Sequence, residues 1–394
     1  MPPLLHGCGR ARAVAKPHIV THHTQGLPTQ AARRKQATMK QDGTDAYVRR
    51  VAADQLHDFT ARLFRAAGTC ADDAQLMAKL LVSNDLRGSS NHGTPCAGGI
   101  GWQGYVDKML DGTVNPRPAV KRVDDGSGAT TSVWDGDGGL GHIVCQNAIE
   151  WAIATAKQHG SAVATTRNHY HFGAAGTWTR QAVAADCVAI AVSSHRYEAF
   201  NPADSIQKVN QTSPISMGVP AGEQPPLVLD MGASMGLNLG HFETIGARPL
   251  VKELAMGAIN AALGGILPGV YRAEEREDQW QPEPLEPQWI ANQGSFLVVI
   301  DAIRLLPVAA LKEQMDSFIS AAQTMQPLPG NTRAFLPGGR EAMFQQEYTE
   351  HGIGMTIEHA QTLQEIADRL KLDFPWERVE AHADAKYTPS TAKL

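Results

Sequence analysis

The sequence predicts a mixed α/β protein whose folded part begins with a helical lobe. Residues 47–67 and 71–86 carry apolar side chains at helical spacing, which predicts two helices. After about residue 118 the pattern changes to short apolar and β-branched runs, separated by helices and by turns rich in Gly, Asn and Pro. With 394 residues, the chain is long enough for two cores, or for one core and a substantial second lobe.

The other elements are predicted in order along the chain. A short helix is expected around 105–110, ended by Asp111-Gly112. Strands are expected within 119–135 and at 161–166, 188–194, 226–230 and 294–300, and helices at 142–158, 177–185, 250–263, 308–323 and 356–370. The acidic, Pro-rich segment 274–287 predicts a solvated connection.

Composition excludes several classes of protein. The net charge is −5 and the pI about 6.3, so the chain lacks the basic field that a nucleic-acid partner needs. No apolar run reaches the roughly 18 residues of a membrane span, and no membrane partner is expected. The five cysteines are widely spaced without a CxxC pair, which argues against a disulfide framework and against a metal site.

The two ends of the chain suggest targeting. No Asp or Glu precedes Asp42, whereas seven Lys or Arg do, so residues 1–43 are expected to be a disordered leader. This leader is either an organellar transit peptide or a segment upstream of a start at Met39. The final Ala392-Lys393-Leu394 is similar to the Ser-Lys-Leu peroxisomal signal. We therefore expect a peroxisomal protein, with cytoplasm and mitochondrion as alternatives.

Two histidines follow the predicted strand at 161–166. The run Arg167-Asn-His-Tyr-His-Phe-Gly-Ala-Ala-Gly176 lies at a strand-to-helix turn, where active sites are commonly built. A neutral imidazole can exchange a proton with a reacting oxygen near neutral pH, which makes this turn a candidate for acid/base chemistry. The alternative is a histidine bonded to carbonyl groups in a tight turn.

A second glycine-rich turn carries a dinucleotide fingerprint. Gly136-Asp-Gly-Gly-Leu-Gly141 is a literal G-x-G-x-x-G between a predicted strand and a helix. The acidic residue expected about 20 positions later is missing, because no Asp or Glu occurs between Glu150 and Asp186. Two interpretations stay open. One is an NADP-dependent Rossmann reductase with a doubly wound parallel sheet, and the other is a turn whose glycines let the helix pack closely.

Several segments together resemble the malate/L-lactate dehydrogenase family of non-Rossmann oxidoreductases. Residues 85–93 resemble its turn D-x-R-G-x-x-S-H-G, and Tyr105 with 112–116 resembles Y…G…I-N-P. Residues 135–144 resemble D-G…G-x-x-V, 168–176 resemble N-S-x-H-F-G-x-A-G, and 229–234 resemble x-D-M-A-T-S. The order and approximate spacing hold over 47–234 and resume loosely over 256–372.

The resemblance implies a fold and an assembly. It implies a largely antiparallel central sheet flanked by helices, with a cofactor-binding α/β domain at 119–299. A helical lobe for substrate binding and dimerisation would combine 44–118 with 300–390. The implied assembly is a homodimer with the site near the subunit interface.

The resemblance also implies an NAD(P)-dependent oxidoreductase that interconverts a small 2-hydroxy acid and its 2-oxo acid. His171 falls on the family's acid/base histidine, and His92 is a second catalytic residue that orients substrate. Substrate binding is expected from Arg87, Asn91 and Tyr105, Arg87 offering its planar guanidinium to a carboxylate. His169 has no family counterpart and is expected at the surface or in a turn.

The cofactor implied by the family is NAD or NADP. Its contacts are expected from two strand ends, a loop between them and one residue beyond, namely Ser194, His195, Thr212, Ser213, Pro214, Asp230, Met231, Gly232, Ala233, Ser234 and Arg248.

Departures from the family pattern keep two alternatives open. Asn91 replaces a serine, 94–99 replace a segment with an arginine, and the loop before Arg248 is short. One alternative is a catalytically impaired relative that acts as a ligand-binding or structural protein. The other is a reductase of cyclic imino acids.

Overall fold

The computed structural model describes residues 47–98, 104–124, 126–195, 213–232, 247–269, 293–327, 329 and 333–380. The predicted leader, the connection at 274–287 and the C-terminal tripeptide lie outside these ranges, as do Thr212, Ala233 and Ser234. Arg248 is described through its backbone alone, at the start of a helix. The described residues belong to one compact unit.

The helical lobe is built on α1 (Ala53–Ala66), α2 (Ala71–Leu86) and α3 (Tyr105–Leu110). Apolar residues of α1 and α2, including Phe59, Leu63 and Met77, form a buried cluster with Ile366 from near the chain end. The prediction of one helix over 47–67 was wrong at its start. Residues Arg49–Val51 form strand β1, which pairs antiparallel with β9 (Ile353–Met355).

A seven-stranded sheet follows, with the order β2-β3-β4-β8-β5-β6-β7. Its strands are β2 (Lys121–Arg122), β3 (Thr131–Asp135), β4 (Ser161–His169), β5 (Cys187–His195), β6 (Pro214–Val219), β7 (Leu227–Gly232) and β8 (Gln293–Asp301). Within the described strands β3 and β4 are the one parallel pair, and the other neighbours are antiparallel. The largely antiparallel sheet is therefore confirmed.

Helices cover the sheet and complete the lobe. These are α4 (Gly141–His159), α5 (Gly176–Ala184), α6 (Ala247–Ala261), α7 (Val308–Gln323), α8 (Gly339–His351) and α9 (Ile357–Leu370). Residues of α4 and α5 such as Ala148, Ala152 and Trp178 pack in one buried cluster with Leu297 and Val299 of β8. Among the described helices, none has the length and apolarity that a membrane crossing requires.

The G-x-G-x-x-G turn belongs to a local β3-α4-β4 unit but not to a doubly wound sheet. Its amides are used within the protein, because the N–H groups of Gly136 and Gly138 donate to the carbonyls of Arg167 and Asn168, at 2.9 Å each. The Gly141 N–H likewise donates to the Tyr170 carbonyl at 3.1 Å. The Rossmann hypothesis is therefore wrong, and the turn serves close packing between the start of α4 and the end of β4.

Candidate active site

Sheet register brings the candidate residues to one end of the sheet. Pro214 pairs with Gly232, and Gln293 pairs with both His195 and His169. The carboxyl ends of β4, β5 and β7 thus lie beside the amino ends of β6 and β8. The loop with His171 leaves β4 at this same end, so the predicted acid/base residue and the described residues predicted to bind the cofactor lie at one end of the sheet.

His171 is buried, with 6% of its surface exposed, and its Nδ1 faces two hydrogen-bond partners. The Tyr105 hydroxyl lies 2.6 Å from Nδ1, and the Gly173 amide donates to the same nitrogen at 3.3 Å. Tyr105 is fully buried and its ring stacks near the imidazole, at 5.9 Å between centroids. The residue predicted to bind substrate thus contacts the predicted acid/base residue directly.

Two further histidines surround this ring. His92 stacks on His171 with centroids 5.6 Å apart and an interplanar angle of 26°. His142, the second residue of α4, packs at 6.4 Å from His171 and 5.3 Å from Tyr105. Burial lowers the pKa of His92 to about 4. Burial and then the neighbouring histidines hold the pKa of His171 well below its ordinary value, so these rings are neutral in the free protein at pH 7.

Sequence reasoning did not single out His142, although its environment is unusual. The side chain is 1% exposed, and neither ring nitrogen has a hydrogen-bond partner among the described residues. Burial lowers its pKa to about 3. A Cβ at Gly173, whose φ is +83°, would lie 2.4 Å from the His142 Nε2, so only glycine lets the 171–176 loop pass this ring.

A buried polar network supports the turn that carries His92. Asp85 accepts from the Thr94 N–H at 2.9 Å and from its hydroxyl at 2.7 Å, and His359 of α9 lies 2.8 Å from the same hydroxyl. The hydroxyl hydrogen points to Asp85, so His359 Nε2 donates to Thr94. The amide of Asn84 donates to the His92 carbonyl at 2.9 Å. Burial raises the pKa of Asp85 to about 7, against the two hydrogen bonds from Thr94.

The other predicted substrate residues lie apart from this cluster. Arg87 donates to the Ser83 carbonyl at 2.5 Å and lines a surface cleft whose described walls include none of His92, Tyr105 and His171. Asn91 is exposed in a short 3-10 turn, where its carbonyl accepts from the Cys96 thiol at 3.0 Å.

The expectation that His169 lies at the surface or in a turn was wrong. It ends β4, is fully buried, and lies 2.7 Å from the Thr166 hydroxyl and 2.7 Å from the Tyr170 carbonyl. Gly141 approaches this ring closely, because a Cβ there would lie 2.6 Å from its Nδ1. His169 is therefore a core residue at the end of β4.

The residues predicted to bind the cofactor differ in accessibility where the structure describes them. Ser194 and Ser213 are buried and bond to each other at 2.9 Å, whereas His195, Pro214, Asp230, Met231 and Gly232 reach the surface at least in part. Buried Asn260 donates to the Ser213 carbonyl at 3.0 Å, and its Oδ1 lacks a partner among the described residues. An unpaired acceptor at this end of the sheet fits the carboxamide N–H of a nicotinamide.

Comparisons with known proteins agree with the fold and the motifs. The family model for malate/L-lactate dehydrogenase matches residues 51–244. Malate dehydrogenase from Pyrococcus horikoshii is 25% identical over 366 residues, which cover 82% of this chain and 96% of that protein. L-sulfolactate dehydrogenase from Methanocaldococcus jannaschii is 34% identical over 168 residues, 42% of this chain and 46% of that protein.

Solved structures show the same fold. The malate dehydrogenase structure from Pyrococcus horikoshii OT3 has a TM-score of 0.66 at 23% identity and covers 82% of this chain and 96% of its own. Delta1-piperideine-2-carboxylate reductase from Pseudomonas syringae has a TM-score of 0.57 at 20% identity, covering 81% of this chain and 100% of its own. Residues 51–244 therefore match the malate/L-lactate dehydrogenase family model, and the chain shares the fold of these solved structures.

Proposed function

We propose that this protein is a nicotinamide-dependent oxidoreductase that interconverts a small 2-hydroxy acid and the corresponding 2-oxo acid, with His171 as acid and base. The observation that carries this proposal is the buried pair of His171 and Tyr105, 2.6 Å apart, at the sheet end that also holds those residues predicted to bind the cofactor that the structure describes. The names of the relatives, malate and L-sulfolactate dehydrogenase, support this substrate class.

In this mechanism, His171 moves the hydroxyl proton while the nicotinamide, when bound, supplies or accepts the hydride. The neutral ring of the free protein is ready to accept a proton from a 2-hydroxy acid. In the reverse direction the imidazolium must form first. A carboxylate bound beside the ring favours that charged form and offsets the effects of burial and of the neighbouring histidines.

Tyr105 is a positioning residue for both protonation states. Its hydroxyl can rotate, so it donates to Nδ1 when that nitrogen is bare and accepts when Nδ1 carries a hydrogen. The Gly173 amide can only donate and favours the tautomer with a bare Nδ1. Proton exchange at Nε2 requires the tautomer with its hydrogen on Nδ1, and in that tautomer the Tyr105 hydroxyl accepts from Nδ1–H and keeps the ring oriented while a proton arrives at or leaves Nε2.

His195, Asp230 and Asn260 would hold the nicotinamide part of the cofactor at the sheet end. Asp230 accepts from the Gly176 amide and lies 3.8 Å from the Arg180 guanidinium, so its position is fixed by the start of α5. Asn260 offers the unpaired buried oxygen described above. The experiment below distinguishes NAD from NADP.

The test is steady-state oxidation of NADH and NADPH with a panel of 2-oxo acids and one cyclic imino acid, run beside fluorescence titration of both cofactors. We expect turnover of a 2-oxo acid, and loss of at least a hundredfold in kcat for His171→Gln with cofactor binding retained. His57→Gln, which alters a histidine of α1 outside the site, is the matched control.

Three outcomes would contradict the proposal. Wild-type protein that binds neither cofactor would indicate a ligand-binding or structural relative. Turnover of the imino acid alone would move the substrate class to cyclic imines. Full activity of His171→Gln would remove the assigned acid and base.

A further inference from the structure

A surface cleft of about 340 Å³ lies apart from the histidine cluster. One wall is α5, with Arg180 and Val183, and the opposite wall is α8 with its start at Gly338. Arg87, just after α2, and Lys312 of α7 complete it. This volume is at the lower end of the range of small-metabolite sites.

The rim of the cleft is ordered by hydrogen bonds between elements. Asp316 of α7 accepts from the backbone amides of Gly222, Glu223 and Gln224 at 2.8 to 3.0 Å. The Val228 amide donates to the Pro337 carbonyl at 3.1 Å, which joins β7 to the start of α8. The cleft is thus a built feature of the fold.

Two arginines face this cleft with unused donors. Arg87 donates to the carbonyl and hydroxyl of Ser83, and no described carboxylate forms an ion pair with it. Arg180 has one ion pair among the described residues, with Asp230 at 3.8 Å, which is longer than a hydrogen bond. Each guanidinium carries five N–H donors, so most of this capacity is free for a ligand.

Three carboxylates lie around the arginine pair, and two of them also have other partners. Asp186 is bound to Lys312 at 2.6 Å, and Asp230 is shared with the Gly176 amide. Glu341 is the remaining acid on the cleft wall. Burial and then the charge of Arg180 lower the pKa of Arg87 to about 10, with Glu341 opposing them.

We propose that this cleft is a second ligand site, in which Arg87 and Arg180 together bind a carboxylate or phosphate group of a small metabolite. Guanidinium forks match the oxygen pairs of both groups, and two forks on one cleft favour an anion with a double charge. The cleft is connected to the histidine cluster along the chain, because α2 leads into the turn with His92 and α5 follows the loop with His171.

The test is isothermal titration calorimetry of the full chain with inorganic phosphate and, separately, with succinate, at ionic strength held constant with sodium chloride. Succinate carries two carboxylates and no hydroxyl, so it cannot be turned over. Variants are Arg180→Gln and, to retain the charge, Arg180→Lys. Arg304→Gln is the matched control, because Arg304 has a similar ion pair with Asp301 at 3.7 Å outside the cleft.

We expect one site per chain for phosphate, succinate or both, weakened at least tenfold by Arg180→Gln, less by Arg180→Lys, and unchanged by Arg304→Gln. Binding of phosphate alone would identify a phosphate ester as the ligand class. Binding of succinate alone would identify a dicarboxylate. Absence of binding by wild type, or equal binding by Arg180→Gln, would overturn the proposal. Displacement of the anion by NADH or NADPH would also overturn it, by making the cleft part of the cofactor site.

Discussion

The Tyr105 hydroxyl lies 2.6 Å from Nδ1 of His171, and both side chains are buried. Tyr105→Phe removes this hydroxyl and leaves the Gly173 amide as the described partner of Nδ1. We expect kcat to fall about tenfold or more, because without this hydrogen bond the imidazole is held less firmly in the orientation on which proton transfer depends. Steady-state kinetics across pH checks this expectation.

Tyr348→Phe is the control for that variant. Tyr348 is also buried and also bonds through its hydroxyl, to Tyr47 at 2.5 Å, but it lies on α8 away from the histidines. A similar loss of kcat in both variants would show that the effect of Tyr105→Phe is general destabilisation.

Replacement of His142 should change stability and activity in opposite directions. Its two buried nitrogens lack partners among the described residues, and an unpaired buried polar group costs about 1–3 kcal/mol. We expect His142→Leu to raise the free energy of unfolding by about 1 kcal/mol and to lower kcat/KM at least tenfold. Urea denaturation and steady-state kinetics measure the two effects.

Opposite results would separate the possible roles of His142. Loss of stability in His142→Leu would show that the ring is a packing element. Unchanged kcat/KM with raised stability would show a buried ring that the reaction does not use.

Acid should destabilise this protein at mildly low pH. Burial lowers the pKa of His92 and His169 to about 4 and of His142 and His359 to about 3, against an ordinary value of 6.5. Between these values the unfolded chain binds protons that the folded chain does not, so stability rises with pH over this window and is lost as pH falls. Asp85 opposes this trend, because its raised pKa makes the folded state bind the extra proton between about 4 and 7.

His359→Gln isolates one of these groups. The glutamine amide can still donate to Thr94, and it does not titrate. We measure the free energy of unfolding by denaturation at pH 7.5, 6.5, 5.5 and 4.5. Below pH 6.5, the slope of this free energy against pH should be smaller in His359→Gln than in wild type by about 1.4 kcal/mol per pH unit. His351→Gln, which removes an exposed histidine of α8, is the comparison. An unchanged slope in His359→Gln would refute the assignment.

Periodicity predicted long elements well. The helices at 71–86, 105–110 and 308–323 have the predicted bounds, since their apolar spacing or their Asp-Gly stops are local signals. Strand β6 was missed because Pro-Ile-Ser-Met-Gly-Val lacks a β-branched run and is specified by its neighbours in the sheet. Helix α8 was missed because it is largely polar.

The site was predictable as a set of motifs but not as a set of contacts. The sequence pattern predicts that His171 lies at a strand-to-helix turn. The burial of His169 and the packing of His142 depend instead on how closely the start of α4 approaches the end of β4 and the 171–176 loop. The direction of Arg87 depends on where α5 and α8 meet α2, which no local pattern encodes. Tertiary packing therefore decides which of the motif residues lie together.

Gly141 provides the last prediction, about the role of the glycine-rich turn. A Cβ at Gly141 would lie 2.6 Å from Nδ1 of His169 and 2.6 Å from the Tyr170 carbonyl oxygen. Gly141→Ala should therefore cost about 2–3 kcal/mol of unfolding free energy, because backbone and a buried ring must move. Gly339→Ala, where the nearest atom is a side-chain carbon of half-exposed Phe335 at 3.2 Å, should change stability by less than about 1 kcal/mol. Equal midpoints in urea for the two variants would mean that the turn is not closely packed on β4.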